Sequence, residues 1–312
     1  MKKDFDIAIL VPVYNDWEAF SVLSDRILNT SRIPNASISI IVLNDGSSIQ
    51  PDVDYRNNPS IEIINLNRNL GHQKAIAIGL AYISKGKNFD YVIVMDSDGE
   101  DKPEDIERLL LKSYNNNNKI VFAERTKRKE KFIFKLYYQL YKFIFVLLTG
   151  KSITFGNFSI IPWNSLAKLV NVSEIWNNYS AGVIKSKIPF LTEPIERGKR
   201  YAGSSKMDID NLILHGLSAV AVFLDIVSIR LLRATFAIIF LILCSMLVVL
   251  GVRVFTDLPI PGWATYVMIG LSTVLMQALL ICLVLGLIIL HYRTQKLFIP
   301  AIDFRDYIMT RK

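Results

Sequence analysis

Formal charge is nearly missing from one long stretch of this chain. The protein has 36 lysines and arginines and 28 aspartates and glutamates, yet residues 234–290 carry only Arg253 and Asp257. So uneven a distribution excludes a purely soluble enzyme, and the apolar content excludes a disordered chain. Cysteine is almost absent too. Cys244 and Cys282 both lie inside apolar runs, so no disulfide framework holds the fold together. Near the start, the apolar run 7–13 is short, is interrupted by Pro12, and has no small-residue cleavage site after it. It reads as a first strand and not a secretory signal, which leaves the N-terminal part expected in the cytoplasm. At 312 residues the expectation is a globular N-terminal part joined to a membrane-embedded C-terminal part.

Residues 234–252 and 264–290 hold no formal charge. About 20 residues at 1.5 Å rise cross a hydrocarbon core of about 30 Å, so each segment is long enough to span. The short link between them, with Asp257, Pro259, Pro261 and Gly262, makes a helical hairpin. Basic residues crowd its two ends: Arg230 and Arg233 before it, and Arg293, Lys296, Arg305, Arg311 and Lys312 after it. The positive-inside rule then puts both termini in the cytoplasm, in a multi-pass protein of the cell membrane. Two more segments have amphipathic character. Residues 132–148 place Lys135, Gln139 and Lys142 on one stripe, downstream of the basic cluster Arg125, Lys127, Arg128, Lys129 and Lys131. Residues 209–224 are similar and contain His215. Both are expected to lie in the membrane interface, against the bilayer. The resulting division is 1–130 as a catalytic core, 131–233 as an acceptor-side region, 234–290 as two transmembrane helices and 291–312 as a cytoplasmic tail.

The soluble part alternates in character. Short, mostly β-branched runs at 7–13, 39–43, 61–64, 91–95 and 120–123 are separated by helical patterns at 17–28, 72–83 and 103–114. That rhythm predicts βαβ units and a mostly parallel α/β sheet. Ligands of such sheets bind at the carboxyl ends of strands. Polar clusters stand there: Tyr14-Asn15-Asp16, Asn44-Asp45-Gly46-Ser47 and Asp96-Ser97-Asp98.

Asp96 and Asp98 are alternate residues, so they face one way if the strand continues through them. Hard divalent cations, Mg²⁺ or Mn²⁺, take such oxygen ligands together with substrate phosphates, and Glu100 offers a third oxygen. An isolated pair of this kind is usually a solvated turn; the strand end and the neighbouring motifs favour metal. Asp45 suits a base or ribose hydroxyl. Asn69-Leu70-Gly71-His72-Gln73 opens a helix whose free N–H groups favour anions. His72 is expected to cap or pack there and not to catalyse. Arg200-Tyr201-Ala202-Gly203-Ser204-Ser205-Lys206 is a basic, glycine-containing loop suited to phosphate.

These motifs, with Val11-Pro12-Val13-Tyr14-Asn15 ahead of them, stand in the order found in family 2 inverting glycosyltransferases of the GT-A fold. With two C-terminal spans the chain resembles the polyprenyl-phosphate branch of that family. The resemblance implies a nucleotide-sugar donor, a divalent cation, a lipid-phosphate acceptor and no nucleic-acid partner, with assembly into homo-oligomers through the membrane helices. Carried over by position, Pro12, Tyr14, Asn15, Asp45, Gly71 and Gln73 resemble donor contacts. Asp96 and Asp98 resemble the metal–diphosphate pair, with Glu100 where glutamine is common. Arg125 matches an acceptor-side arginine, and Arg200, Ser205 and Lys206 match a phosphate loop.

One stretch departs from the pattern. Relatives often carry Gly-Asp-Phe-Arg where this chain has Gly156-Asn157-Phe158-Ser159. A phosphate monoester has its second pKa near 6, so the acceptor is nucleophilic without a strong base. Asn157 stays on the substrate side of the expected site, and Arg125, Lys151 or Arg200 stands in for the missing arginine. The alternatives are a transferase for another membrane glycolipid or polysaccharide, and a nucleotide-sugar-binding scaffold without turnover. Processive synthases usually show Gln-x-x-Arg-Trp, and here no arginine precedes a tryptophan.

Overall fold

The computed structural model describes residues 5–30, 36–125, 132–202, 209–256 and 262–309. The opening β-branched run forms β1 (Phe5–Val13), buried from Ile7 onward. A strand covered on both faces reads as a continuous apolar run, which is how residues 7–13 look in sequence. Then come α1 (Trp17–Thr30), β2 (Ala36–Asn44), β3 (Ile61–Asn65), α2 (His72–Lys85) and β4 (Tyr91–Val94). They are followed by α3 (Ile106–Asn115), β5 (Ile120–Arg125), α4 (Phe132–Thr149), β6 (Ser159–Pro162), α5 (Trp163–Leu169), α6 (Tyr179–Ser186) and β7 (Phe190–Ile195). The remainder is helical: α7 (Ile209–Ala221), α8 (Leu224–Phe255), α9 (Trp263–Thr294) and the single turn α10 (Pro300–Asp303).

One seven-stranded sheet runs in the order β3-β2-β1-β4-β6-β5-β7. β6 is antiparallel to both its neighbours, and every other pair is parallel. From β1 the order grows outward in two directions, to β2 and to β4. This reversal opens a crevice at the carboxyl ends of β1 and β4, where doubly wound sheets bind ligands. Apolar clusters cover both faces. One joins α2 to Leu10, Leu43, Val94 and Phe122; the other joins α1 and α3 to Ile9, Val11, Ile93 and Val121. Gly79 lets α2 press on the sheet, since a methyl there would overlap Leu10 and come within 2.8 Å of Leu43.

The described residues fall into two units. One lies within Met1–Gln139, Ser152–Val222 and Leu297–Lys312, and the other within Leu140–Lys151 and Phe223–Lys296. Residues 297–309, expected as part of a C-terminal tail, belong to the first unit. Ala301 and Phe304 are buried against α2. Phe298 and Tyr307 pack on Trp176, with ring centroids 3.8 and 5.3 Å away. Ile308 bridges to Leu66 in antiparallel fashion at the end of β3, and Asn67 donates from its backbone N–H to the Tyr307 carbonyl. Edge strands leave backbone groups unpaired, and this segment covers part of that edge.

In the second unit α8 and α9 are antiparallel: Leu224 lies beside Leu287 and His291, and Val249 and Arg253 lie beside Ala264 and Met268. Each helix has 32 residues and a mean hydropathy of 2.8. By length and composition both can cross a membrane, and both extend beyond the charge-free segments seen in sequence. Arg230, in the second turn of α8, donates to the Leu147 carbonyl at the end of α4, satisfying a helix terminus that otherwise lacks a partner. Leu140, Phe143 and Leu147 of α4 are exposed.

Replacing Phe304 by alanine should destabilise the first unit by about 3–5 kcal/mol, the usual range for a buried aromatic. Denaturant unfolding followed by tryptophan fluorescence checks this, with Trp176 reporting on its aromatic contacts.

Candidate functional site

The crevice between β1 and β4 is lined from both strand ends. Pro12 lies past Leu10–Val94, the last β1–β4 pair, so its missing N–H breaks no bond to β4. Tyr14 is exposed. Asn15 takes a left-handed φ of 50°, which asparagine tolerates. Its side-chain oxygen accepts the amides of Ser48 and Ile49 at 2.9 and 3.0 Å. Asn15, expected as a donor contact, uses this oxygen to fix the loop after β2.

Asp45, almost wholly buried, follows β2 and accepts the backbone N–H groups of Leu70 and Gly71 at 2.7 and 2.9 Å. Burial pushes its carboxyl up, outweighing the two amides that favour the anion. The same bonds settle the entry to α2, where Gly71 adopts a φ of 94°, a conformation that favours glycine. His72 and Gln73 come next. His72 Nε2 stands 3.1 Å from Asp96 Oδ1 and 3.0 Å from Asn157 Nδ2, so His72 sits inside the site and does not merely cap the helix.

β4 ends at Val94, before the acidic pair. Strand alternation therefore does not place Asp96 and Asp98, which is a correction. A turn does, with Gly99 at φ 84° beneath the Tyr201 ring, where a methyl would overlap the ring. Asp98 Oδ1 accepts the Glu100 amide at 2.9 Å, and Asp98 Oδ2 accepts Arg200 Nη2 at 2.6 Å. Glu100, expected as a third metal oxygen, instead pairs with Arg197 and lies 3.5 Å from Arg125 Nη1. The segment after β7 is latched onto this turn by its backbone as well. Gly198 N donates to the Glu100 carbonyl and Tyr201 N to the Asp98 carbonyl.

Asp101 is the residue that the sequence reading missed. It is 1% exposed, accepts the Asp96 amide at 3.1 Å, and pairs with Arg125 Nη2 at 3.2 Å. Burial, then Asp96, push its carboxyl above the usual range. Burial also pushes Asp96 up, but His72, ahead of Arg125, outweighs it and holds Asp96 low. The available signal was density: four acids within Asp96–Asp101 need several nearby cations. Two of those cations, Arg197 and Arg200, lie about a hundred residues away in sequence. Ser205, Lys206 and the basic residues 127–131 lie outside the described residues.

Arg125 neutralises Glu100 and Asp101 together, so Arg125→Met should destabilise the protein by about 3–5 kcal/mol by leaving a buried acid unpaired. Thermal unfolding of purified variants checks it. A second substitution, Asp101→Asn, should recover much of the loss.

Comparison with known proteins gives the family and the fold. Residues 8–169 match the family model described as "Glycosyl transferase family 2". The uncharacterized glycosyltransferase YkcC of Bacillus subtilis (strain 168) is 27% identical over 87% of this chain and 84% of its own. An undecaprenyl-phosphate 4-deoxy-4-formamido-L-arabinose transferase of Yersinia pestis (strain Pestoides F) is 30% identical, over 47% of this chain and 45% of its own. Among solved structures, glucosyl-3-phosphoglycerate synthase from Mycobacterium tuberculosis, in complex with Mn²⁺, UDP and glucosyl-3-phosphoglycerate, aligns with a TM-score of 0.50 at 14% identity. That alignment covers 72% of this chain and 80% of the synthase. Mannosyl-3-phosphoglycerate synthase from Rubrobacter xylanophilus aligns with a TM-score of 0.50 at 13% identity, over 83% and 78% of the two chains. These structures share the GT-A fold. With more than half of its length matched by the family model, the chain belongs to glycosyl transferase family 2.

Proposed function

We propose that this chain transfers a hexose, with inversion, from a nucleoside-diphosphate sugar to a polyprenyl phosphate at the cytoplasmic face of the cell membrane. The observation that carries the reading is the pairing of two features in one chain. An acidic turn stands at the crevice of a GT-A sheet, and two helices are long and apolar enough to cross a bilayer. A relative named for an undecaprenyl-phosphate transferase supports the acceptor class.

The donor set suits a hard divalent cation. Asp96 Oδ1 is buried and makes no aligned hydrogen bond, and Asp98 adds a second carboxylate. Among the described residues no three acids, histidines or cysteines group to hold an ion unaided. Mg²⁺ or Mn²⁺ would then complete its shell with diphosphate oxygens and water, as Mg²⁺ commonly does. Bound there, the cation would neutralise charge on the departing nucleoside diphosphate.

The remaining chemistry falls to the chain. Asp45 holds the loop at Leu70 and Gly71 against the base and ribose side. Arg200 and Lys206 take phosphate charge, and Arg125 keeps the acidic turn compact. A phosphate oxygen of the acceptor attacks the anomeric carbon, and the bond to the diphosphate oxygen breaks on the opposite face. Because the phosphate is already anionic near neutral pH, catalysis rests on alignment and charge placement. Asn157 takes no proton in this scheme.

Connectivity supports the membrane part of this reading. β5 precedes α4 and β6 follows it, and the two strands pair in one sheet. A single crossing by α4 would separate them, so α4 does not span, and the exposed Leu140, Phe143 and Leu147 of α4 and Ile213, Leu214 and Leu217 of α7 support a place for both along the interface. The basic cluster 125–131 holds the domain to anionic lipid, and the protein assembles through its membrane helices.

Asp98→Asn should reduce transfer at least about a hundredfold, because one cation-facing charge is lost. Radiolabelled nucleotide sugars, polyprenyl phosphate and Mn²⁺ or Mg²⁺ test this with glycosyl-phosphoprenol as the product. Polymer, or no product from any donor, would overturn the reading. For topology, a cysteine label at position 257 should react from outside intact cells, while labels at positions 2 and 312 should not.

A further inference from the structure

Gln73 and Asn157 reach each other across 84 positions, and the direction of their contact is fixed from outside the pair. The backbone N–H of Tyr179 can only donate, and it meets Gln73 Oε1 at 2.7 Å. Gln73 must therefore turn its NH2 the other way. That group also only donates, and it meets Asn157 Oδ1 at 3.2 Å. Asn157 is left with its own NH2 pointing onward, 3.0 Å from His72 Nε2. His72 Nε2 is itself 3.1 Å from Asp96 Oδ1.

An isolated asparagine chooses freely between two amide orientations that differ little in shape. Here the start of α6 chooses for it. That starting point is rigid. Asn178 caps the helix by accepting the Ala181 amide at 2.9 Å, and Tyr179 is fully buried. The Tyr179 hydroxyl lies 2.7 Å from Ser159 Oγ, which donates to the Asn157 carbonyl at 2.9 Å. Tyr179 thus holds the Asn157 backbone from one side while its N–H sets the Asn157 side chain from the other.

We propose that Gln73 is a positioning residue: oriented by the Tyr179 N–H, it makes Asn157 a one-way hydrogen-bond donor toward His72 and Asp96. The side chain at 157 therefore offers hydrogens, never a lone pair, to the acidic turn. It steadies a carboxylate there and cannot act as a base. Gln73 spends its oxygen on the Tyr179 N–H and one amide hydrogen on Asn157.

The kinetic part of the test rests on the glycosyl-transfer reading above, and the thermal part does not. Gln73→Glu keeps the acceptor for Tyr179 but deletes the donor, so Asn157 must rotate and present its oxygen to His72 and Asp96. Turnover should fall at least about tenfold, with the donor KM changed by less than about threefold. In an Asn157→Ala background the same change should alter kcat by less than about twofold, since Gln73 acts through Asn157. The Tm should follow the same pattern, falling on Gln73→Glu in the parent and hardly at all in Asn157→Ala. Equal losses in the two backgrounds overturn the relay, and so does a Gln73→Glu effect confined to KM. If the parent protein turns over no donor with any lipid phosphate, the function reading fails, and the thermal cycle alone decides the relay.

Discussion

Everything at the mouth of this sheet depends on neutralising an acidic turn. Asp96, Asp98, Glu100 and Asp101 crowd into six positions, and burying anions without partners costs several kcal/mol each. The fold answers with an arginine for three of them, Arg200 at Asp98, Arg197 at Glu100 and Arg125 at Asp101, and sets His72 beside Asp96. These groups arrive from the start of α2, the end of β5 and the segment after β7. Three remote parts of the chain are drawn to one turn by charge balance. The segment 197–201 is held so closely that Gly99 has the Tyr201 ring over it. The charge arrangement and the backbone latch reinforce each other, so neither can be loosened alone.

The topology makes this convergence possible. Because β4 stops at Val94 while β1 runs on to Val13, the chain after β4 is free to turn at the sheet's edge. The antiparallel β6 then brings Asn157, just before it, beside the first residues of α2. A fully parallel sheet with one more crossover would carry that segment to the opposite edge. Gly79 and the apolar face of α2 set how deep the helix sits, and hence where His72 and Gln73 end up.

Much of this was legible in the sequence, for reasons that also explain what was not. β1, β2, β4 and β5 are runs of β-branched residues buried on both faces, and such runs announce themselves. β6 and β7 do not. Ser159–Pro162 has only four residues and ends in proline, and Phe190–Ile195 is an edge strand carrying Glu193 and Pro194. Their identity comes from pairing partners far away. The acidic pair was legible as a motif, but its geometry was not, because the strand ends two residues early. Asp101 stands in no motif, and only the fold sets Arg125 against it. Gln73 and Asn157 were legible as polar residues near a site. What they do depends on a backbone N–H at Tyr179, and no pattern of side chains encodes that.

The aromatic and aliphatic contacts of residues 297–309 set an order of events during biosynthesis. Phe304 and Ala301 fill space against α2, yet they lie more than two hundred residues later in the chain, beyond α8 and α9. A ribosome delivers the sheet first and the hydrophobic hairpin next, and it supplies the last pieces of the soluble core only afterwards. Until then α2 and the Leu66 edge stay uncovered, on the very helix that carries His72 and Gln73. A truncated or prematurely released chain therefore carries its strands but not a closed core, so completion of the site waits for synthesis of the hairpin.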